Sequence, residues 1–190
     1  WKNGWPVAGE VFKEGTYEIE SERRGYALEL AVDFVRMEYT RHRFWEKDDT
    51  PVVPLKSQTL EDVIGTWPQG KINVRIGDYM FRPHQKWTIT AVPDGGGYLG
   101  GPYYKIVIEG TNRALAATAD AEVVTVPEFT GAPEQLWRID QLTDGTYRII
   151  PKEVPGTDKE LVLVSVGDST PSLGEFDMNS DNSKWNFRDH

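Results

Sequence analysis

The phrases "HQKWTIT" (84–90), "EQLWRID" (134–140) and "NSKWNFR" (182–188) set Trp87, Trp137 and Trp185 in one short context. Each carries a polar pair, one spacer, the Trp, and then alternating polar and apolar residues. The repeat, at about 50 residues, constrains the fold more than any other feature of the chain. A unit of this length cannot bury its apolar face alone, so repeated units must pack on one another and share a core. The text before each Trp repeats too. "GTYEIES" around Tyr17, "PYYKIVIE" around Tyr104 and "GTYRIIP" around Tyr147 read as half-buried strands, with turn residues leading into alternating β-formers. Second strands follow in "YALELAV", "RALAATA" and "ELVLVSV", after joints rich in turn formers: "RRG", "EGTN" and "PGTDKE". Third strands, "KINVRI", "VVTVPEF" and "PSLGEF", precede the Trp strands.

Three units of four strands predict an all-β chain with the β-trefoil architecture. Six strands close a barrel and six form a triangular cap, related by a pseudo-threefold axis. Closure on one axis removes most open sheet edges, and one large residue from each unit fills the common centre. Burying a Trp there takes roughly 150–250 Å² out of water. The triple phrase is therefore read first as core architecture. The units run over about 15–92, 98–142 and 145–190, after a distinct segment 1–14.

The first unit is irregular. Tyr17 and Trp87 are about 70 residues apart, against roughly 33 to 38 for the later Tyr–Trp pairs. The excess sits at about 36–70, which includes Phe44, Trp45, Trp67, several prolines and the helix-compatible stretch "SQTLEDVIGTW". An insertion of this length is often functional; packing against a neighbouring domain and a ligand-contacting lid are both open. "PDGGGYLGG" (93–101) reads as a flexible connector between units.

Composition removes several function classes. A net charge of −9 over 190 residues disfavours a nucleic-acid partner, which requires a basic face. No apolar run approaches the ~18 residues of a membrane span, and no basic-apolar leader is written in these residues. Cysteine is absent, so disulfides and thiolate chemistry are excluded, and His42, His84 and His190 form no metal-ligand pair. No cofactor or metal is expected. "DMNSDNS", from Asp177, begins like a calcium loop, but Asn182 stands where that loop needs Gly and Arg188 where it needs Glu. It reads as a solvated turn. No nucleophile elbow, zinc-protease motif or phosphate loop is present, and no carboxylate pair sits in a glycosidase context.

Two residues before each Trp stand Gln85, Gln135 and Ser183. A Gln-x-Trp triplet in the last strand of each unit resembles the ricin-B-type β-trefoils, including family 13 carbohydrate-binding modules, over roughly residues 15–190. The resemblance implies that the Gln braces the loop beside a sugar pocket. It also implies an acid in the second strand, in a Leu-Asp pattern, matched here by Glu29, Ala116 and Leu163. An aromatic eight to ten residues before the Trp gives Tyr79, Phe129 and Phe176. Only the first unit keeps an acid, so Glu29, Asp78, Tyr79 and Gln85 form the candidate carbohydrate site. The alternative for Glu29 is an exposed strand residue.

The opening "WKNGWPVAGE" resembles the segment that closes the catalytic propeller of glycoside hydrolase family 43. On that resemblance the chain is a non-catalytic accessory module of a secreted enzyme acting on arabinan- or xylan-type polysaccharides, with the catalytic domain upstream. Trp1 and Trp5 would then pack on that domain. Two other readings remain open, a free lectin and a β-trefoil protease inhibitor.

Overall fold

The computed structural model describes residues 12–23, 26–31, 33–35, 52–54, 70–80, 82–98, 101–166, 170–177 and 179–189. The described residues form fourteen strands. The first unit contributes β1 (Gly15–Ser21), β2 (Ala27–Leu30), β3 (Asp33–Val35), β4 (Val52–Pro54), β5 (Ile72–Gly77) and β6 (Trp87–Tyr98). The second contributes β7 (Gly101–Ile108), β8 (Ala114–Ala117), β9 (Val123–Val126) and β10 (Trp137–Gln141). The third contributes β11 (Tyr147–Pro151), β12 (Val162–Val166), β13 (Thr170–Gly174) and β14 (Trp185–Asp189).

The first and last strands of each unit close a six-stranded antiparallel barrel. β6 pairs with β1, β1 with β14, β14 with β11, β11 with β10, β10 with β7, and β7 returns to β6. The middle strands form three hairpins across one end: β2–β5, β8–β9 and β12–β13. They lean on one another, with β5 pairing to β9 and Leu173 N donating to Ala121 O at 2.9 Å. This is the β-trefoil, with the strands where the alternation places them. The chain has no edge along the barrel because each unit supplies one strand to each neighbour's seam.

The threefold relation holds residue by residue in the core. Ile19, Ile106 and Ile149 form one layer, and Leu28, Leu115 and Leu163 another, all fully buried. Trp87, Trp137 and Trp185 lie between cap and barrel at 0% exposure. Each indole N–H donates to the second-strand carbonyl of its own unit: Leu28, Leu115 and Leu163, at 2.9 Å in every case. A buried indole must place that proton, and the repeat solves the problem identically three times. At the open end of the barrel, Tyr17, Tyr104 and Tyr147 surround Phe12, with ring centroids 5.1, 5.8 and 5.6 Å from it. Tyr104 also donates its hydroxyl to Phe12 O at 2.8 Å, which ties the segment before β1 to the second unit.

The Gly-rich stretch departs from expectation. Instead of a loose connector, 93–98 continue β6 along β7, with Gly97 opposite Pro102 and Tyr98 opposite Gly101 beyond a register shift. The glycines sit at that irregularity, where an unpaired residue must bend the strand. β3, just before the first-unit excess, pairs in parallel with β4 inside it. The helix expected over 57–67, together with Trp1, Trp5, Phe44, Trp45 and Trp67, lies outside the described residues. Among the described residues, no helix is long and apolar enough to cross a membrane.

Candidate functional site

A short 3₁₀ turn precedes each Trp strand, at Pro83–Gln85, Pro133–Gln135 and Asp181–Ser183. Its last residue faces inward and holds the loop that follows the third strand. Gln85 is completely buried. Its Oε1 accepts from Met80 N at 2.8 Å and Arg82 N at 3.3 Å, and its Nε2 donates to Asp78 O at 2.7 Å. Gln135 accepts from Thr130 N at 2.8 Å in the same way. Ser183, one group shorter, donates to Asp177 O at 3.2 Å. The bracing role implied for the Gln is thus present in all three units, strongest in the first and weakest in the third.

The structure brings the four candidate residues of unit one together. Gln85 Nε2 also donates to Glu29 Oε1 at 2.7 Å. Glu29 Oε2 accepts from Arg75 Nε at 2.7 Å and lies 3.4 Å from His84 Nε2. Gly77 makes room for this carboxylate: a Cβ there would stand 3.3 Å from Glu29 Oε1. Glu29 is 5% exposed, so the alternative of an exposed strand residue is overturned. β2 is covered by the cap on one side and by the 83–85 turn on the other. Burial pushes the Glu29 carboxyl up, but hydrogen bonds from His84, Arg75 and Gln85 and the charge at His84 outweigh it, and the net shift is downward. Glu29 therefore serves as an ionised anchor beneath the loop. Asp78 and Met80 are exposed above it and Tyr79 is half-buried between them. Burial holds the Tyr79 hydroxyl above the ordinary range, helped by Glu18 and Glu109.

The strand registers correct one sequence alignment. Glu29 pairs with Arg75, Ala116 with Val124 and Val164 with Ser172, while Leu163 pairs with Leu173 as Leu28 does with Ile76. The third-unit equivalent of Glu29 is therefore Val164, not Leu163. Apolar repeats in "LVLV" allow two registers, and only the Trp185 bond to Leu163 O distinguishes them. The aromatic positions also diverge. Lys105 Nζ lies 5.4 Å from the Phe129 ring centroid, and the Arg148 guanidinium lies 5.0 Å from that of Phe176. In units two and three a cation of the chain itself stands within cation–π distance of the ring that corresponds to Tyr79. "DMNSDNS" forms a self-contained turn, with Asp177 Oδ1 accepting from Asn179 N at 2.9 Å. Among the described residues, no three metal-ligating side chains come together.

Sequence reasoning missed Arg75, which reaches Glu29 at the same 2.7 Å as Gln85 does, and His84, 3.4 Å away. Alternation in "INVRI" sets Arg75 on the face away from Ile72, Val74 and Ile76, but its position opposite Glu29 requires the hairpin register.

With that geometry in place, comparison with known proteins gives the class. Residues 83–171 match the family described as ricin-type beta-trefoil lectin domain-like. The fold is the β-trefoil, and over residues 83–171 the chain is similar to ricin-type, lectin-like domains. Among solved structures it is similar to the designed threefold-symmetric protein ThreeFoil, with a TM-score of 0.58 and 18% identity over 93% of this chain and 99% of that one. It is also similar to the Polyporus squamosus lectin bound to a human-type influenza-binding epitope (TM-score 0.59, 17% identity, 93% of this chain and 49% of that one). A third similarity is to an exo-β-1,3-galactanase from Clostridium thermocellum (TM-score 0.57, 14% identity), where 95% of this chain spans 31% of the enzyme. No curated protein sequence matches the chain.

Proposed function

We propose that this domain is a non-catalytic carbohydrate-binding module that meets its glycan through the 78–82 loop of unit one. The observation that carries the reading is the Glu29–Gln85 bridge at 2.7 Å. Through it a buried acid and amide fix the backbone of a loop that presents an exposed carboxylate, Asp78, beside a half-buried ring, Tyr79. A sugar requires that combination: an aromatic surface for its C–H face and preset polar groups for paired hydroxyls. Glu29 and Gln85 act as positioning residues, and Asp78 and Tyr79 make the contact.

The finer reading is an accessory module of a secreted glycosidase of family 43 type, acting on arabinan- or xylan-type polysaccharide from outside the cell or in the periplasm. It is supported by the opening "GWPV" and by likeness to one domain's length of a galactanase. Such a module raises enzyme concentration at the substrate without new chemistry.

Affinity electrophoresis in gels containing arabinan, arabinogalactan or xylan tests binding. Retardation by one polymer is expected, with Tyr79→Ala raising its Kd about tenfold. Unretarded migration in all three gels would remove the glycan reading and leave the scaffold. An upstream reading frame encoding anything but a propeller would remove the family 43 assignment alone.

A further inference from the structure

The three units differ most where the first strand passes to the second. That connection takes five residues in unit one (22–26) and five in unit two (109–113), but ten in unit three (152–161). The core does not need the excess, because β11 and β12 occupy the same places as their counterparts. The extra length is ordered: Val154 bridges to Thr157, and Gly156 takes a φ of +85° at the turn between them. It raises a lip along the seam with unit two and bounds a groove of about 440 Å³.

The floor of this groove is specific to this seam. Arg138 occupies the place that Thr88 and Asn186 hold after the other two tryptophans. It is 8% exposed and donates to Asp140 Oδ2 at 3.1 Å and Glu160 Oε1 at 2.5 Å, so it pins the lip to the barrel. Tyr103 lines the opposite wall, half-buried, with Lys152 Nζ 5.3 Å from its ring centroid. Ile150, Pro151 and Val154 back the groove and are themselves buried, while Pro133 is exposed at its edge. The charged lining is balanced, with Arg138, Lys152 and Lys159 against Glu153, Asp158 and Glu160.

The geometry points to a second saccharide subsite in this groove, between units two and three, taking a neutral sugar residue of a glycan chain. The inference rests on the carbohydrate reading of the domain. The volume falls in the ~300–1,000 Å³ range of small-molecule sites. The half-buried Tyr103 ring and the exposed Pro133 suit the C–H face of a sugar, while donors and acceptors of both signs on the rim suit its hydroxyls. A strongly charged ligand would meet as much repulsion as attraction, and an apolar one would strand the rim charges. The groove uses none of Glu29, Asp78, Tyr79 and Gln85, so one polysaccharide can engage both places at once and gain avidity.

The test is NMR mapping of the isotope-labelled domain, titrated with oligosaccharides from arabinan, arabinogalactan and xylan. Shifts in the amides of 103 and 152–160 are expected alongside those of 78–82. Tyr103→Ala should weaken the groove response about tenfold and leave the 78–82 response unchanged. Asp158→Ala, on the exposed lip, gives the same reading without touching a packed ring. Shifts confined to 78–82 would overturn the second subsite and leave the function proposed above intact. Shifts confined to the groove would support it and overturn the unit-one site. No shift with any of the three would overturn both.

Discussion

Along the axis the three units are nearly interchangeable; around the rim they are not. Trp87, Trp137 and Trp185 make the same 2.9 Å bond to the same strand position and are equally buried. Two residues upstream the likeness has decayed, from a Gln with bonds to Asp78 O, Met80 N, Arg82 N and Glu29, to a Gln tied to Thr130, to a Ser. The three tryptophans belong to one continuous buried cluster shared by all three units, so a change in one unit is felt by the others. A rim residue touches only its own loop, and each loop has diverged without cost to the barrel.

The sharpest way to break this comparison is to truncate the tryptophans. Each Trp→Ala change should cost about 3–5 kcal/mol, from the cavity and the stranded carbonyl together. The three costs should agree within about 1 kcal/mol, measured by urea denaturation. A much smaller loss for Trp185→Ala would mean that unit three is not an equal partner in the core.

Next in size are the braces, and here inequality is expected. Gln85→Ala removes support from 78–82 and leaves Glu29 Oε1 short of a donor in a buried site, a loss of about 2–3 kcal/mol. Gln135→Ala should cost about 1 kcal/mol, and Ser183→Ala less. Equal losses would show that the rim is as symmetric as the axis.

That division also explains what the sequence disclosed. Tryptophan spacing and strand alternation are axis properties, written three times, and they placed the twelve barrel and cap strands; the choice of Glu29, Asp78, Tyr79 and Gln85 rested on the resemblance to ricin-type trefoils. Rim properties are written once. Whether Leu163 or Val164 answers Glu29 depends on a register that an apolar run leaves open. The ion pair of Arg75 with Glu29 crosses a hairpin whose strands are separated by the insertion in unit one. The extension of β6 through 93–98 was hidden because glycines that permit a bulge look the same in sequence as glycines that make a linker. The groove beside Arg138 needed the units laid side by side, although the longer "PGTDKE" joint was visible from the start.

Acid sharpens the comparison within the rim. The Glu29 carboxyl ionises below its ordinary range in the folded domain, so the folded state holds fewer protons than the unfolded one. The contribution is complete at neutral pH and is lost as pH falls through the ordinary glutamate range toward the folded value. Its equivalents, Ala116 and Val164, contribute nothing of the kind. Glu29→Gln should therefore lower stability at pH 7 by about 1–2 kcal/mol and flatten the acid limb of a stability–pH profile. A limb as steep as that of the unaltered domain would move the titrating group elsewhere.

The smallest effect is expected where the barrel closes. β14 meets β1 across the seam of units three and one, and Arg188 Nε stands 2.7 Å from Glu20 Oε2 on that ladder. The pair looks like a clasp between the two ends of the chain. Its arginine is 62% exposed, however, and an ion pair in water recovers little of the entropy spent in ordering two long side chains. The seam is held by the five-residue register from Tyr17 to Ser21, with Ile19 and Trp185 completely buried behind it. Arg188→Ala should change stability by less than about 0.5 kcal/mol, and 1 M salt should erase even that difference. A loss above 1 kcal/mol that persists in salt would place closure in the rim, and the axis would no longer be what holds the three units together.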